Sequence, residues 1–524
     1  MIARLRRLPW HPVLFAASIV IAFWLDTMVS PHAAIRSLII AVVVVALVTL
    51  IAGLLFRSAA LGGLLASGII GLLYGKRLIE LVGTLRGAME PWLFIVWIAL
   101  AGLALLVAVR VILRSVRRWT VDGAGSKLNQ AALILFIASI GSGLVTEKLH
   151  YAAGDLAQGV PLEDAEASAL NATSSAGLPD VYLILLDGYP RADVLAHAFD
   201  LDNSGFEIAL AGREFVLAPE SYAEYLWTHI TLSSMLSMEY VEEIGALRAV
   251  IDGEAPLHPT LRDVLNDNPV FDLAREKGYQ VVALNSGYEQ LTVRRADVWV
   301  DGGQMNEFEL QLLVSTFLGD VLAVVTPDLA SGQHRDRIEY ELDAVGRIAA
   351  ADADGPRLVF AHIPAPHQPT VFGRAGEPVV EPIGAHFYAD GSQERREPLD
   401  EFVAKYRDQL SYLNRRIIES VDEIIANSDE PPVIILWSDH GSASRVDWVV
   451  TESDEAEPDV LLERTGTLFA ALTPGRTDAF PDDIAPVNIF RYLADAYYGI
   501  DYGPAIPPPG GGQIPPVDAS VLDN

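Results

Sequence analysis

The chain has 524 residues, with 37 Lys or Arg against 68 Asp or Glu, a formal net charge of -31 at pH 7 and no cysteine. Disulfide bonds are therefore excluded, and so is nucleic-acid binding through a basic face, since so acidic a surface would repel phosphates. The acidic excess is confined to one part of the chain: residues 1–150 carry 14 basic and 5 acidic side chains, a net of +9, which leaves -40 for residues 151–524.

Five apolar runs occupy the first 150 residues, at 13–28, 38–56, 61–74, 92–109 and 131–145. Several approach the roughly 20 residues that are needed to cross a hydrocarbon core of about 30 Å. The first run follows Arg4, Arg6 and Arg7, so by itself it also fits a signal peptide. The four runs that come after it favour a transmembrane domain of about five helices over residues 1–150.

Basic residues set the expected orientation, because Lys and Arg are enriched in cytoplasmic loops. The N-terminal arginines place the amino terminus in the cytoplasm, and four arginines between 110 and 118 do the same for the loop after the fourth run. Lys76, Arg77 and Arg86 argue against this scheme and are partly offset by Glu80 and Glu90. Five crossings predict a multi-pass protein of the cell membrane whose C-terminal domain is extracytoplasmic.

Residues 151–178 are rich in Ala, Ser, Glu and Gly, which is typical of a linker. From 179 to about 502, predicted strands alternate with predicted helices, and residues 503–524 form a Pro/Gly-rich tail. The clearest helix covers 401–426, where apolar residues recur every three or four positions. The alternation predicts one α/β domain, with helices on both faces of a largely parallel central sheet.

Two predicted strands end at side chains that can bind a metal. The run 181–186 leads into Asp187, and the run 433–437 leads into Asp439 and His440. Ligands collect at the carboxyl ends of strands in an open α/β sheet, and Asp with His suits a divalent cation. Each junction alone also fits an ordinary strand-to-turn signal. Their joint occurrence favours a metal site.

A run of hydroxyl residues between these strands supplies candidate nucleophiles. Thr228 opens a segment of helical composition, where free N–H groups and the helix dipole favour an anion. A metal on that oxygen would lower its pKa further. Helix capping is the alternative role for Thr228, and Thr231, Ser233 and Ser234 are alternative nucleophiles in the same segment.

A third predicted strand, 358–363, ends in a loop with two histidines and three prolines, and proline holds such a loop rigid. His367 is a candidate for contacting a phosphoryl oxygen or for protonating a leaving group. His362 is a candidate substrate contact, with a buried or capping role as the alternative. Arg191 could pair with a substrate phosphate, and it equally fits a surface position on the first helix of the domain.

These segments resemble, in this order, the sulfatase-like branch of the alkaline phosphatase superfamily. The matching segments are LDGYPR at 186–191, the Thr-led helix, REKGY at 275–279, HIPAPHQP at 362–369 and SDHG at 438–441. Five apolar runs followed by an outward domain look like lipoteichoic acid synthases and related phosphoglycerol or phosphoethanolamine transferases. The resemblance covers about residues 179–498 and implies an alkaline phosphatase-like α/β/α sandwich.

Carried over residue by residue, the resemblance implies a metal shell of Asp187, Thr228, Asp439 and His440. Thr228 is then also the covalent nucleophile, and His367 contacts substrate. Formylglycine-dependent sulfatases need a Cys or Ser in a C/S-x-P-x-R motif, and neither form precedes the helix here. Sulfate-ester hydrolysis is therefore disfavoured. No second set of Asp and His ligands matches alkaline phosphatase, so we expect one divalent ion, with Mn²⁺ favoured over Zn²⁺ or Mg²⁺ for a mostly oxygen shell.

The expected function is a membrane-anchored, metal-dependent hydrolase or phosphotransferase that acts on phosphate esters outside the cytoplasm. Its expected partners are membrane lipids and a phosphate-ester substrate such as a phospholipid head group or an envelope glycan. A catalytically silent protein with a binding or envelope-assembly role is the alternative. A transporter role ranks last, since apart from Asp26 the apolar runs lack the charges expected along a substrate path.

Overall fold

The computed structural model describes residues 8–27, 29–76, 121–145, 177–253, 255, 257–353, 355–382, 398–442, 444 and 458–507. The fourth apolar run, the two N-terminal basic clusters, nearly all of the expected linker and residues 508–524 lie outside the described residues. The chain divides into two compact units. One contains the N-terminal helices together with Asn306–Thr326, and the other contains the rest of the described chain.

The helices, in chain order, are α1 (His11–Asp26), α2 (Pro31–Leu55), α3 (Ala59–Leu73), α4 (Val121–Val145), α5 (Ala192–Phe199), α6 (Ser204–Ala211), α7 (Thr228–Ser237), α8 (Gly245–Ile251), α9 (Leu257–Asn266), α10 (Pro269–Glu276), α11 (Glu307–Val314), α12 (Phe317–Val325), α13 (Leu329–Ala350), α14 (Leu399–Asn427), α15 (Pro458–Thr465) and α16 (Ile489–Leu493). The strands are β1 (Val181–Leu186), β2 (Val216–Leu217), β3 (Gln280–Leu284), β4 (Val298–Val300), β5 (Arg357–Ile363), β6 (Val433–Trp437) and β7 (Phe469–Leu472).

The N-terminal unit consists of apolar helices. Among the described helices, α2 alone is long and apolar enough to cross a bilayer as a single helix, and the bent pair α11–α12 passes the same test when taken together. Helices α1 and α3 are apolar but shorter. Large apolar side chains cover the outside of α2, as they do on a surface that faces lipid. The described helices therefore include one or two candidate spans, and they do not establish the expected bundle of five.

The second unit is built on a sheet with the strand order β2-β7-β6-β1-β5-β3-β4. The neighbours from β6 to β4 pair in parallel, whereas β7 is antiparallel to both β6 and β2. The sheet is therefore mixed, and the expectation of a largely parallel sheet is wrong. The sequence pattern could not reveal this, because a buried strand has the same composition whichever way it runs.

Helices cover both faces of this sheet. In β1, Tyr182, Ile184 and Leu186 pack with α5, α6, α13 and α14, while the alternate residues Val181 and Leu183 pack with α7, α10 and α16. Successive side chains of a strand point to opposite faces, so a strand that is apolar at every position must be covered on both sides. The predicted α/β/α layering is present, and the long predicted helix is found as α14.

Candidate metal and nucleophile site

The candidate site lies where three neighbouring strands end. β1 is paired in parallel with β5 on one side and with β6 on the other. Their carboxyl ends are therefore adjacent, although the strands are far apart in sequence. Asp187 follows β1 directly, His367 lies in the loop after β5, and Asp439 and His440 follow β6 after one serine. The sheet order thus brings together the strand-end residues that the motifs single out.

The imidazole of His440 is at the centre of the cluster. Its Nε2 lies 3.1 Å from Thr228 Oγ1, 3.3 Å from Asp439 Oδ2 and 3.5 Å from Asp187 Oδ1. Thr228 is the first residue of α7, and the start of that helix has no side-chain cap. Two carboxylates, an imidazole and a hydroxyl therefore face one another at the end of the sheet.

The backbone fixes which nitrogen of His440 is available. Nδ1 lies 2.9 Å from the carbonyl oxygen of Gly441, so in the neutral ring it donates its proton there and Nε2 keeps a lone pair. Burial lowers the pKa of His440 well below its ordinary value, and the Arg464 guanidinium lowers it further. A neutral ring held in this tautomer is the form that binds a metal.

The two carboxylates carry buried oxygens without donors. Asp187 Oδ1 and Asp439 Oδ2 are both buried and have no hydrogen-bond partner. Burial, with the neighbouring charge of Asp187, raises the pKa of Asp439 to about 6. Burial also acts to raise the pKa of Asp187, but the charge of His367 and the hydrogen bond with His362 outweigh it and keep that pKa low. Unpaired buried carboxylate oxygens beside a neutral imidazole suit a divalent cation.

His367 joins the same cluster. One donor atom each from Asp187, His367 and His440 lie within 4.8 Å of one another. The Nδ1 atom of His367 lies 2.8 Å from the Gln368 carbonyl oxygen, which leaves Nε2 for another partner. The backbone N–H of His367 also donates to the Asp187 carbonyl oxygen at 2.8 Å. The ring is therefore held beside Asp187 and His440, close enough to contact either a metal or a substrate.

The three alternative nucleophiles in α7 are already engaged. Thr231 Oγ1 donates to the Asp439 carbonyl oxygen at 3.1 Å, Ser233 Oγ to that of His229 at 2.7 Å and Ser234 Oγ to that of Glu239 at 2.8 Å. All three are buried. Among the four candidate nucleophiles, Thr228 is the one whose oxygen faces the carboxylates and imidazole.

The two remaining candidate substrate contacts have partners inside the protein. His362 is buried, and its Nε2 lies 2.9 Å from Asp187 Oδ2, so it braces that carboxylate. Arg191 donates to both oxygens of Asp193 and to the carbonyl oxygen of Ser221. In this arrangement neither side chain belongs to the group that surrounds Thr228.

Two further residues that support the site, both on α15, are marked by no sequence motif. Arg464 is buried, and its guanidinium donates to the carbonyl oxygens of Leu226 and Gly441. Glu463 accepts from Ser442 Oγ at 2.6 Å and from the Ser444 N–H at 2.7 Å. A Cβ at Gly441 would lie 2.0 Å from the Glu463 carbonyl oxygen, so only glycine fits there. The sequence around α15 has no recognisable motif, because its contacts with the site join residues that are distant along the chain.

No protein-family model and no curated protein matches the chain. Among solved structures, the C-terminal periplasmic domain of phosphoethanolamine transferase EptC from Campylobacter jejuni is similar at 11% identity, covering 63% of this chain and 92% of that one with a TM-score of 0.40. The integral membrane protein lipooligosaccharide phosphoethanolamine transferase A from Neisseria meningitidis is 13% identical, covering 77% of this chain and 69% of that one, with a TM-score of 0.36.

A third similar structure is BT1596, a 2-O GAG sulfatase, at 11% identity, covering 66% of this chain and 75% of that one with a TM-score of 0.40. The solved structures similar to this chain thus include phosphoethanolamine transferases and a sulfatase. Because each similarity is low, the chemistry of the site is inferred from its own geometry.

Proposed function

We propose that this chain is a membrane-anchored, metal-dependent phosphotransferase or phosphodiesterase with Thr228 as its nucleophile. The observation that carries the proposal is the position of Thr228 Oγ1, at the uncapped start of a helix and 3.1 Å from His440 Nε2. Beside it lie two buried carboxylates that each have one oxygen without a donor. A hydroxyl in such surroundings is suited to nucleophilic attack on an electrophilic phosphorus.

Asp187, Asp439, His440 and Thr228 would hold one divalent ion, for which we favour Mn²⁺ over Zn²⁺ or Mg²⁺ because three of the four ligands are oxygens. When bound, the ion would lower the pKa of the hydroxyl and offset negative charge on the phosphoryl group. His362 would keep one oxygen of Asp187 occupied, so that the other oxygen points to the cluster. His367, with a free Nε2, would lie on the substrate side.

In the proposed reaction, Thr228 Oγ1 gives its proton to water and attacks the phosphorus of a phosphate ester. A new Oγ1–P bond forms while the bond to the leaving oxygen breaks, and His367 in its protonated form gives that oxygen a proton. The free N–H groups at the start of α7 lie where they can stabilise phosphoryl oxygens. In the second half of the reaction, the now neutral His367 takes the proton of water or of a second alcohol, whose oxygen forms a bond to phosphorus while the Oγ1–P bond breaks. Thr228 Oγ1 takes up a proton from water, which restores the hydroxyl.

The proposed substrate is a phosphate ester presented at a membrane, such as a phospholipid head group, with an envelope glycan as a candidate acceptor. This follows from the apolar helices that precede the α/β unit in the same chain. We retain the arrangement of about five spans over residues 1–150, a linker over 151–178, a catalytic domain over 179–502 and a tail over 503–524. The catalytic domain would lie outside the cytoplasm, because it would follow five crossings that start from a cytoplasmic amino terminus.

The proposal is tested by incubating the purified full-length protein and Mn²⁺ with vesicles of anionic or ethanolamine phospholipid. Peptide mass spectrometry should find a phosphoryl adduct on Thr228. The Thr228→Ala protein should lack the adduct and lose at least about 10³-fold in turnover, as expected for removal of a nucleophile.

Matched controls separate chemistry from folding. Thr228→Ser keeps a hydroxyl at the same position and should retain the adduct, and Thr231→Ala should remain active, because Thr231 faces the Asp439 carbonyl oxygen. A bound metal without any adduct or turnover in the wild-type protein would favour the catalytically silent alternative. An active Thr228→Ala protein would refute the assignment of the nucleophile.

A further inference from the structure

The segment Asn306–Thr326 leaves the α/β unit after β4 and packs with the N-terminal apolar helices. It forms two short helices, α11 and α12, which meet at an angle of 98°. Gly319 permits this bend, since a Cβ there would lie 2.6 Å from the Leu313 carbonyl oxygen. We refer to residues 306–326 as the hairpin.

Specific polar contacts fix one side of the hairpin to the ends of α2 and α3. Glu309 is buried and pairs with Arg36 in the second turn of α2, and Asn306 Nδ2 donates to the Ala33 carbonyl oxygen at 3.2 Å. Lys76, just beyond α3, donates to the Val314 carbonyl oxygen at 3.0 Å and to Asp320 at 2.6 Å. The carboxylates of Glu309 and Asp320 therefore point toward the N-terminal helices.

Apolar packing fixes the same side. Phe308 is fully buried, with its ring 5.3 Å from that of Phe23 near the end of α1. The hairpin thus contacts the last turns of α1, the first turns of α2 and the end of α3. These three ends lie on one side of the membrane in the orientation that the basic residues predict, and that side is the extracytoplasmic one.

The other side of α12 is apolar and uncovered. Leu318, Val321, Val324 and Val325 are 41%, 54%, 81% and 69% exposed, and the one charged residue of α12 is Asp320, which is paired with Lys76. In the described part of the α/β unit, large exposed apolar side chains such as Ile208 occur singly along the chain. A contiguous apolar patch without charge is typical of a surface that contacts protein or lipid.

We infer that the hairpin is embedded in the outer leaflet of the bilayer, with α12 lying against acyl chains just below the head groups. The occupant is lipid because the patch belongs to the same compact unit as α2, whose exposed apolar surface has the same character. At 1.5 Å per residue, α11 and α12 are about 12 and 14 Å long, well short of the roughly 30 Å hydrocarbon core. Their combined length of about 26 Å is also below that thickness, and the 98° bend shortens their reach further.

The position of α12 in the bilayer can be tested without any turnover. The chain has no cysteine, so single-cysteine variants carry one label each. Full-length Val324→Cys is labelled with a fluorophore and reconstituted in phosphatidylcholine–phosphatidylglycerol vesicles. Quenching is then measured with iodide in the water and with lipids that carry a nitroxide at acyl carbon 5 or carbon 12. Val321→Cys serves as a second probe of the same face.

Two matched variants calibrate the measurement. Ile208→Cys is a similarly exposed apolar position, 70% exposed on α6 of the α/β unit, and should be open to iodide. Leu47→Cys lies near the middle of α2 and should respond most to the deep nitroxide. We expect the Val324 label to be at least five-fold less accessible to iodide than the Ile208 label, and to be quenched more by the shallow nitroxide than by the deep one.

Three results would overturn the inference. Equal iodide access at 324 and 208 would mean that the face is in water. Protection from iodide without quenching by either lipid would mean that protein, such as a second copy of the chain, covers the face. Stronger quenching by the deep nitroxide at both 324 and 321 would mean that the hairpin enters the bilayer centre instead of one leaflet.

Discussion

Asp187 Oδ1 and Asp439 Oδ2 are buried, lie 3.5 and 3.3 Å from His440 Nε2 and have no hydrogen-bond donor. Leaving a buried polar group unpaired costs about 1–3 kcal/mol, and more for a charged group. In a fold of marginal stability, such an arrangement persists where a ligand compensates for it. These two oxygens are therefore the observation that most favours the proposed cation.

Metal content should depend on these side chains. We expect about one equivalent of divalent ion per wild-type chain, and its loss in Asp439→Asn and His440→Ala, because each change removes a ligand atom from the centre of the cluster. Elemental analysis of the purified full-length proteins measures this. Asp422→Asn, which breaks an exposed pair with Arg213, is the matched control and should keep its metal. Full occupancy in both site variants would mean that the ion binds elsewhere.

Glu224 should make the stability of the protein depend on pH. Its side chain is buried, and burial raises its pKa to about 8 from an ordinary value of 4.5. The folded state therefore holds the proton more tightly than the unfolded state. The contribution of this proton is complete below pH 4.5 and is lost as the pH rises through about 8.

Glu224→Gln keeps an acceptor for the Val487 N–H, which Glu224 Oε1 now binds at 2.6 Å, but it cannot ionise. We expect the melting temperature of the variant relative to wild type to rise steadily between pH 5 and pH 8. Thermal denaturation in detergent at a series of pH values measures the difference. A difference that is constant across this range would show that Glu224 ionises normally in the folded protein.

At the level of elements, α15 connects the two segments that carry the nucleophile and the ligands. Arg464 donates both to the Leu226 carbonyl oxygen, just before α7, and to the Gly441 carbonyl oxygen in the turn after β6. That second carbonyl also accepts the Nδ1 proton of His440. Helix α15 therefore helps to set the distance between Thr228 and His440.

Arg464→Lys should impair catalysis by misplacing these elements, because an ammonium group cannot bridge two carbonyl oxygens as a planar guanidinium does. We expect kcat to fall by about 10- to 100-fold with little change in KM, since displacements of about 1 Å have effects of this size. Steady-state kinetics separates the two constants. Arg213→Lys changes an arginine at the surface and should leave both unchanged, whereas wild-type kcat in Arg464→Lys would remove α15 from the positioning of the site.

At the scale of the whole molecule, charge and hydrophobicity divide the chain between two environments. The first 150 residues are basic and apolar, and the remainder is strongly acidic. Among the described residues, the helix Pro31–Leu55 is long enough to cross a bilayer. Within the N-terminal unit, the hairpin contacts the ends of α1, α2 and α3 that the predicted orientation places outside.

Fusion reporters should confirm this orientation. We expect alkaline phosphatase joined after residue 155 to be active, and a fluorescent protein at the same junction to be dark, because the junction follows an odd number of predicted crossings that start in the cytoplasm. The amino-terminal fusion of the fluorescent protein serves as the positive control. Fluorescence without phosphatase activity at residue 155 would place the α/β unit in the cytoplasm and exclude an extracytoplasmic substrate.

Local sequence by itself determined the elements and the residues at their ends. The apolar periodicity of 401–426 predicted α14, and the buried runs that end at Asp187 and Asp439 predicted β1 and β6. These features are local, because a helix or a buried strand is encoded by neighbours along the chain. The strand-end motifs also carried the resemblance to the sulfatase-like branch of the alkaline phosphatase superfamily.

Only the tertiary structure decided which way β7 runs, which hydroxyl of α7 faces the carboxylates, and that His362 braces Asp187. It also decided that residues 306–326, which alternation along the chain assigns to the α/β domain, pack with the N-terminal helices. Strand direction, side-chain partners and unit membership depend on contacts between residues that are distant in sequence. Composition and spacing carry no information about those contacts, because the same local pattern satisfies several pairings and only packing selects among them.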